Sequence, residues 1–371
     1  MELTVRKEDL VKGLFKCQSV VERRSSMPIL SNLLLAASGQ KLKIAATDLE
    51  INFQGMYPAS VNTPGSLTVP ARKLYEIVKE LPGDDVYLKE KENQQMHITA
   101  GRANYDLVAL PAEDFPELPQ LEGIPELTMD CEVLDEMIEK TIFSISQEDT
   151  RFNLAGLYVE KRQISGEFHL RFVATDGHRL SVIDRKLPGL NEFKLEKGVI
   201  IPRKGVQEIR KMAEDGETVI LGINQNHAMV KKDELDLVLR LQEGTFPEYD
   251  VVIPKATKLK AVANRKALFD VMRRVSILAP DKFNGVRFIF KPNLLEVVSQ
   301  NPELGEARES MEVAYDGESF EVGFNARYFQ DLCGAMRSED INLRFVDDTN
   351  PCVVTGEGDE GFLSVIMPMR L

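Results

Sequence analysis

Four elements recur in the same order three times along this chain, and any fold has to accommodate all three copies. The clearest of them is a hairpin. LKIAATDLEINF (42–53) and LRFVATDGHRLSVI (170–183) each place the step Ala-Thr-Asp between two alternating apolar runs, with Thr47 and Thr175 separated by 128 positions. LEVVSQNPELGEARESMEV (295–313) is a degraded third copy with Asn301 and Pro302 in its turn. Alternation with period two marks a strand with one buried face, and Asp-Gly between two such runs marks a tight turn.

The neighbours of the hairpin recur too. Upstream, KEDLVKGLFKCQSVV, CEVLDEMIEKTIFSI and NRKALFDVMRRVSIL each lead into an apolar strand. Leu10, Leu14, Cys17 and Val21 have the spacing of Leu134, Ile138, Thr141 and Ile145, and of Leu268, Met272, Val275 and Ala279. That is the i, i+4, i+7, i+11 stripe of a helix with one buried face. Downstream, VPARKLYEIVKEL, IPRKGVQEIRKMA and GFNARYFQDLCGAM predict a second helix. Pro70 and Pro202 stand where a helix tolerates proline, and Asn325 fills the same slot as a side-chain cap. Each copy closes on a hairpin that runs into proline.

The expected helices span 7–21, 71–81, 131–146, 202–214, 264–280 and 325–339. One hydrophobic core seldom organises 371 residues. The pattern therefore predicts an α+β chain of three tandem domains, 1–124, 125–257 and 258–371, joined near LEGIPELT and VVIPKATKLK. Strands that follow one another through short Gly, Asn or Asp turns predict antiparallel sheets rather than βαβ units.

A formal charge of −13 argues against a nucleic-acid surface until it is apportioned. The six expected helices hold 17 Lys and Arg against 13 Asp and Glu, net +4, which leaves −17 for the remainder. Two positions are basic in every copy: Lys16, Lys140 and Arg274 on the first helix, Arg72, Lys204 and Arg327 on the second. Solvated helix faces account for such a stripe; so does one shared acidic partner, whose phosphates would be bound without base reading. Four scattered cysteines suggest neither zinc nor disulfides, and no cofactor is expected. MELTVRKEDL lacks a signal-peptide core and no apolar run has the length of a membrane span, so a soluble, cytoplasmic protein is expected, with no membrane partner.

VATDGHRLSVID (173–184) gathers Asp176, His178, Arg179 and Asp184. It reads as an acid/base centre, a metal site or a turn. Glu50 stands where the first copy would need a second His178, and His97, His169, His178 and His227 have no ligand spacing, so no metal is expected.

MPILSNLLL (27–35), TDLE (47–50), VPARKL (69–74), LPAEDFP (110–116), VATDGHRL (173–180), IPRKGV (201–206), FPEY (246–249), GVR (285–287), GFN (323–325) and the final MPMRL (367–371) together resemble the bacterial DNA polymerase III β subunit family, the sliding clamps. The resemblance runs end to end. It implies clamp domains with sheets outside and two helices each inside, paired head to tail in a homodimeric ring. Such a ring encircles duplex DNA without sequence specificity, performs no catalysis, and confers processivity on a replicative polymerase. A clamp loader, replicative and translesion polymerases and repair proteins are the implied partners, docking through short motifs with Leu and Phe anchors.

The resemblance also implies site residues. The peptide pocket would comprise Leu154, Thr175, Gly177, His178, Arg179 and Leu180, with Pro247, Val252, Val365, Met367, Pro368 and Met369; Arg151, Asn325, Tyr328 and Pro351 would flank it. The implied DNA-facing residues are Arg24, Arg72, Lys73, Gln147, Arg203 and Lys204, to which the repeat adds Lys16, Lys140, Arg274 and Arg327. A dimer joint would use Lys73, Arg102, Tyr105 and Leu107 on one edge, and Ile277, Leu278, Glu303 and Glu306 on the other. Two features depart from the family pattern. Glu132, Asp135, Glu136 and Glu139 make one expected inner helix acidic, and Asp106 and Arg308 invert the basic-meets-acidic edge. Two other readings stay open at this point, an enzyme with an Asp/His site at the turn and a structural protein that self-associates through sheet edges.

Overall fold

The computed structural model describes residues 1–22, 27–148, 150–214, 216–280 and 284–370. Six α-helices form among these residues: α1 Lys7–Cys17, α2 Ala71–Glu80, α3 Cys131–Ile142, α4 Arg203–Ala213, α5 Arg265–Val275 and α6 Ala326–Ala335. They start where the stripes and caps place them. Asn264 and Asn325 accept hydrogen bonds from the Ala267 and Arg327 amides at 3.1 and 2.9 Å, satisfying donors with no partner inside the helix. Leu10, Leu14 and Cys17 are buried on α1, as are Leu268, Met272 and Val275 on α5. The first helix of each copy ends before the stripe does. Ile145 and Ala279 stay buried on turns beyond the helix, so the apolar spacing outruns the helical hydrogen bonds.

In the first third, strand Glu2–Arg6 and α1 precede strands Asn32–Ser38, Lys41–Thr47, Ile51–Thr63 and Gly65–Pro70; α2 and strands Asp85–Lys91, Gln95–Ala100 and Ala103–Val108 follow. The same order, strand, helix, four strands, helix, three strands, recurs from Glu126 and again from Leu259. The pairings within both sheets are antiparallel, as the short turns require.

The chain divides into two compact units, and their border falls inside the middle third. The first unit holds 1–132, 192–194 and 207–241; the second holds 133–191, 195–206 and 242–371. Main-chain ladders explain the split. Within the first unit strand Leu235–Arg240 pairs with Ile51–Thr63, from Leu235↔Gly55 to Leu239↔Ile51. Within the second unit Arg179–Arg185 pairs with Phe362–Ile366, from Arg179↔Ile366 to Ile183↔Phe362. Each half of the middle copy is thus bonded into a sheet with a different neighbour.

Candidate functional site

The TDGHRL stretch is a turn held by its own side chains. Asp176 Oδ1 accepts from the amides of His178 and Arg179 at 2.9 and 3.0 Å, and Asp176 Oδ2 accepts from Arg179 Nε at 3.0 Å. Thr175 Oγ1 accepts from the Gly177 amide and donates to the Arg179 carbonyl at 2.6 Å. The first copy repeats this: Asp48 Oδ1 takes the Glu50 and Ile51 amides, and Thr47 Oγ1 takes the Leu49 amide. In the third, Asn301 Oδ1 takes the Glu303 and Leu304 amides. Such side-chain-capped turns are why Asp and Asn recur here. Both Asp176 oxygens are committed to the turn and to Arg179, which removes it as a general base for His178.

Gly177 has φ +87°, and a β-carbon there would lie 2.8 Å from Arg151 Nη1. Leu49 holds the matching place in the first copy at φ 77°. We expect Gly177→Ala to lower unfolding free energy by about 1 kcal/mol, measured by urea titration, because a β-carbon is strained in the left-handed region. An unchanged midpoint would contradict this.

Arg179 is 8% exposed, so it supports a binding surface rather than lining one. Its Nη1 pairs with Asp331 at 2.7 Å, its Nη2 donates to the Phe143 carbonyl, and its guanidinium lies 4.5 Å from the Tyr328 ring centroid. The turn is thereby tied to α6. Leu180 and Val365 are likewise buried, in a cluster with Val173, Val182, Ile200, Phe246 and Tyr249, and Leu154 packs on its margin. Phe246 stacks on Tyr158 at 4.7 Å between centroids, and exposed Pro247 and Val252 follow it in sequence.

The chain end laces these parts together. After strand Phe362–Ile366, the Met367 amide donates to the His178 carbonyl at 2.9 Å and the Met369 amide to the Gly323 carbonyl at 2.8 Å. Beside this tail lies a cavity of about 810 Å³, lined in part by His178, Asn325, Tyr328, Met367, Pro368 and Met369. Arg151 donates to the Asp176 carbonyl at 3.0 Å, and half-buried Pro351 precedes Cys352, which pairs with Ile366. Sequence reasoning missed Asp331, which orients Arg179, and Arg287, Ile289 and Val298, which extend the cavity; Asp331, Arg287 and Val298 lie within the repeated or family-like stretches, but nothing local to them shows these contacts.

The candidate cations divide. Arg72, Lys73, Lys204, Arg274 and Arg327 are exposed, as is Gln147. Glu76 pairs with Arg72 and Lys73 at 2.8 and 2.7 Å, and Glu309 pairs with Arg274. Lys16 is half-buried with its Nζ 3.4 Å from the Lys211 carbonyl. Half-buried Arg203 donates to the Ile145 carbonyl, and burial, then the charge of Arg179, hold it below the usual guanidinium range. Arg24 lies outside the described residues. Lys140 requires a correction. It is 0% exposed, with Nζ 2.7 Å from Glu136 and 2.6 Å from Asp359, so it cannot face DNA. Helical position matched it to Lys16 and Arg274, but in the middle copy that position packs under the 356–361 turn, where two carboxylates receive it.

Each unit also carries an unpaired sheet edge. Strand Ala103–Val108 ends its sheet; Tyr105 and Val108 on it are 43% and 63% exposed, Arg102 is exposed and Leu107 half-buried. Strand Gly305–Ala314 has its 305–312 portion paired on one side only. Near it, Ile277 is 75% exposed, Leu278 half-buried, and Leu304, Glu303 and Glu306 exposed. The inverted charges are matched locally: Asp106 pairs with Lys91 and His97, which hold its carboxyl below the usual range, and Arg308 pairs with Glu296 and Glu306. Among the described residues no three His, Cys, Asp or Glu side chains gather as a metal would need, and no helix is long and apolar enough to cross a membrane.

Three family models match in order: the DNA polymerase III beta subunit N-terminal domain over residues 1–119, its central domain over 128–248 and its C-terminal domain over 250–370. The beta sliding clamp of Caulobacter vibrioides is 38% identical over 374 residues, and that of Escherichia coli K12 is 34% identical over 377, each match spanning all of both chains. Among solved structures, the Caulobacter crescentus beta sliding clamp superposes at TM-score 0.94 with 38% identity. The Bartonella birtlesii DNA polymerase III subunit beta bound to griselimycin superposes at 0.95 with 33% identity, and both comparisons cover each chain completely.

Proposed function

The chain belongs to the DNA polymerase III β subunit family, the sliding clamps, and from that premise we propose that two copies close head to tail into a ring around duplex DNA. A sliding clamp acts in replication and catalyses nothing; the Asp/His reading of the turn is set aside. Its hold is topological. A closed ring leaves DNA only by opening or by running off an end, and the polymerase it tethers rebinds at high effective concentration. The observation that carries the ring reading is the pair of unpaired edges, Ala103–Val108 with exposed Tyr105 and Val108, and the 305–312 portion of Gly305–Ala314 with exposed Ile277 and Leu304 near it. Unpaired edge strands invite another chain, and a heterologous joint that closes makes a ring. Self-association without DNA is then only half of the behaviour.

The division 1–124, 125–257 and 258–371 remains our proposal for the domains. For the inner surface we propose Arg72, Lys204 and Arg327, exposed in all three copies, and also the exposed Lys73, Gln147 and Arg274. Acidic α3 makes that lining patchy. For the partner pocket we propose the cavity beside the chain end, with Met367 and Met369 adapting to varied Leu- and Phe-bearing motifs of the loader, polymerases and repair proteins. With DNA as its track, a cytoplasmic location is part of the same proposal.

Loaded by its ATP-driven loader onto a nicked circle, the protein should persist through gel filtration and be lost once the circle is cut. Equal loss from both forms would overturn the ring. Binding to short linear duplexes should instead be weak and fall steeply with salt. At the joint, we expect Ile277→Asp to shift the light-scattering mass from the dimer to 41.8 kDa, because an unpaired carboxylate replaces a buried apolar contact. A dimer mass retained at nanomolar concentration would remove Ile277 from the interface.

A further inference from the structure

Resting on the peptide-pocket reading, we propose that the cavity beside His178 also takes residues flanking a partner's Leu/Phe anchor, and that it prefers carboxylates there. The cavity is larger than an anchor needs. At about 810 Å³ it lies high in the ~300–1,000 Å³ range that encloses a whole drug-sized ligand. From Tyr328 and the chain end it continues along the side chains of strands Gly285–Lys291 and Leu294–Asn301. Ile289 and Val298 supply an apolar floor there, with Pro280 and Pro302 at its margin.

Its charge is the reverse of the protein's. Arg287, Arg308 and Arg370 line the cavity with one carboxylate, Glu306, in a chain of formal charge −13. Arg308 already has two partners, Glu296 and Glu306. Arg287 has a looser one: its Nη1 lies 3.7 Å from Glu321, beyond hydrogen-bond distance, and both side chains are about half exposed. A guanidinium in that position can take an incoming carboxylate through two parallel N–H donors. Charge complementarity and continuity with the peptide pocket together point to an extended acidic flank as the occupant.

The test uses the full-length protein and two fluorescent peptides with one Leu/Phe anchor, one with a Gly/Ser tail and one with an Asp/Glu tail of equal length. Anisotropy at low salt should show the acidic tail binding about fivefold tighter, the scale of one or two partly exposed ion pairs. The overall negative charge works against that result, so a gain locates the cation locally. Arg287→Glu should abolish the gain, so that the acidic-tailed peptide binds no tighter than the Gly/Ser one, while Arg287→Lys should restore part of it. Equal binding of both tails to the unsubstituted protein overturns the proposal, as does a gain that survives Arg287→Glu. A second copy covering the strip would give the first of those results. Failure of the Gly/Ser peptide to bind at all would overturn the pocket reading instead.

Discussion

Asp359→Ala should destabilise the protein by about 3–5 kcal/mol, the largest effect we expect from one substitution. Asp359 and Lys140 are both fully buried and pair at 2.6 Å. Glu136 completes the site, accepting from Lys140 at 2.7 Å on one oxygen and pairing with Arg185 at 2.6 Å on the other. Asp359 also accepts from the amides of Arg337 and Ser338 and from the Ser338 hydroxyl. Removing that carboxylate leaves an ammonium in the interior with one partner where it had two, and three donors with none. Replacing both charges, as in Lys140→Met with Asp359→Asn, should recover much of the loss, since a buried pair gains little over apolar packing of similar volume. Chemical denaturation of the three proteins measures this, and a loss below 1 kcal/mol for Asp359→Ala would refute it.

The same group sets an acid limit. Burial alone would raise the Asp359 carboxyl, but the hydrogen bonds from Lys140 and Ser338 outweigh it and hold the group below its ordinary value. Glu136 is lowered likewise, with Lys140 and Arg185 outweighing its burial. Because each titrates lower folded than unfolded, their stabilisation is complete above about pH 4–5 and drains away as pH falls below that. Asp359→Ala should therefore show a weaker loss of stability between pH 5 and pH 3 than the unsubstituted protein does.

Truncation after Ile366 should lower partner-peptide affinity by thirtyfold or more while barely moving the melting temperature. Strand Phe362–Ile366 keeps its ladder to Arg179–Arg185, and among the described residues the backbone bonds lost are those of the Met367 and Met369 amides. The cavity, by contrast, loses Met367, Pro368 and Met369 from its lining. Anchor pockets concentrate binding energy in a few desolvated contacts, each worth about 2 kcal/mol or more. Anisotropy with an anchor peptide, run beside a thermal melt, separates the two effects. Unchanged affinity would exclude the chain end from the pocket.

Much of this architecture was legible from local chemistry. Leu10, Leu14 and Cys17 repeat at helical spacing, Asp48, Asp176 and Asn301 cap equivalent turns, and Asn325 caps α6; each depends on atoms a few positions apart. The same reasoning overran the helix ends, since apolar spacing continues into turns that bury Ile145 and Ala279 without helical bonds.

What the sequence determined by itself was therefore the repeated unit, its antiparallel strands, its turns and its family. Only the tertiary structure decided which charges meet water. Lys140 and Lys16 occupy one helical position, yet Lys140 is buried because Asp359, distant in the chain, packs against it; Arg179 holds Tyr328 because Asp331 comes within 2.7 Å of it. Periodicity reports which side of a helix is apolar, a property of neighbours in sequence. Whether a cation on that helix faces solvent or a carboxylate depends on partners that packing alone brings near.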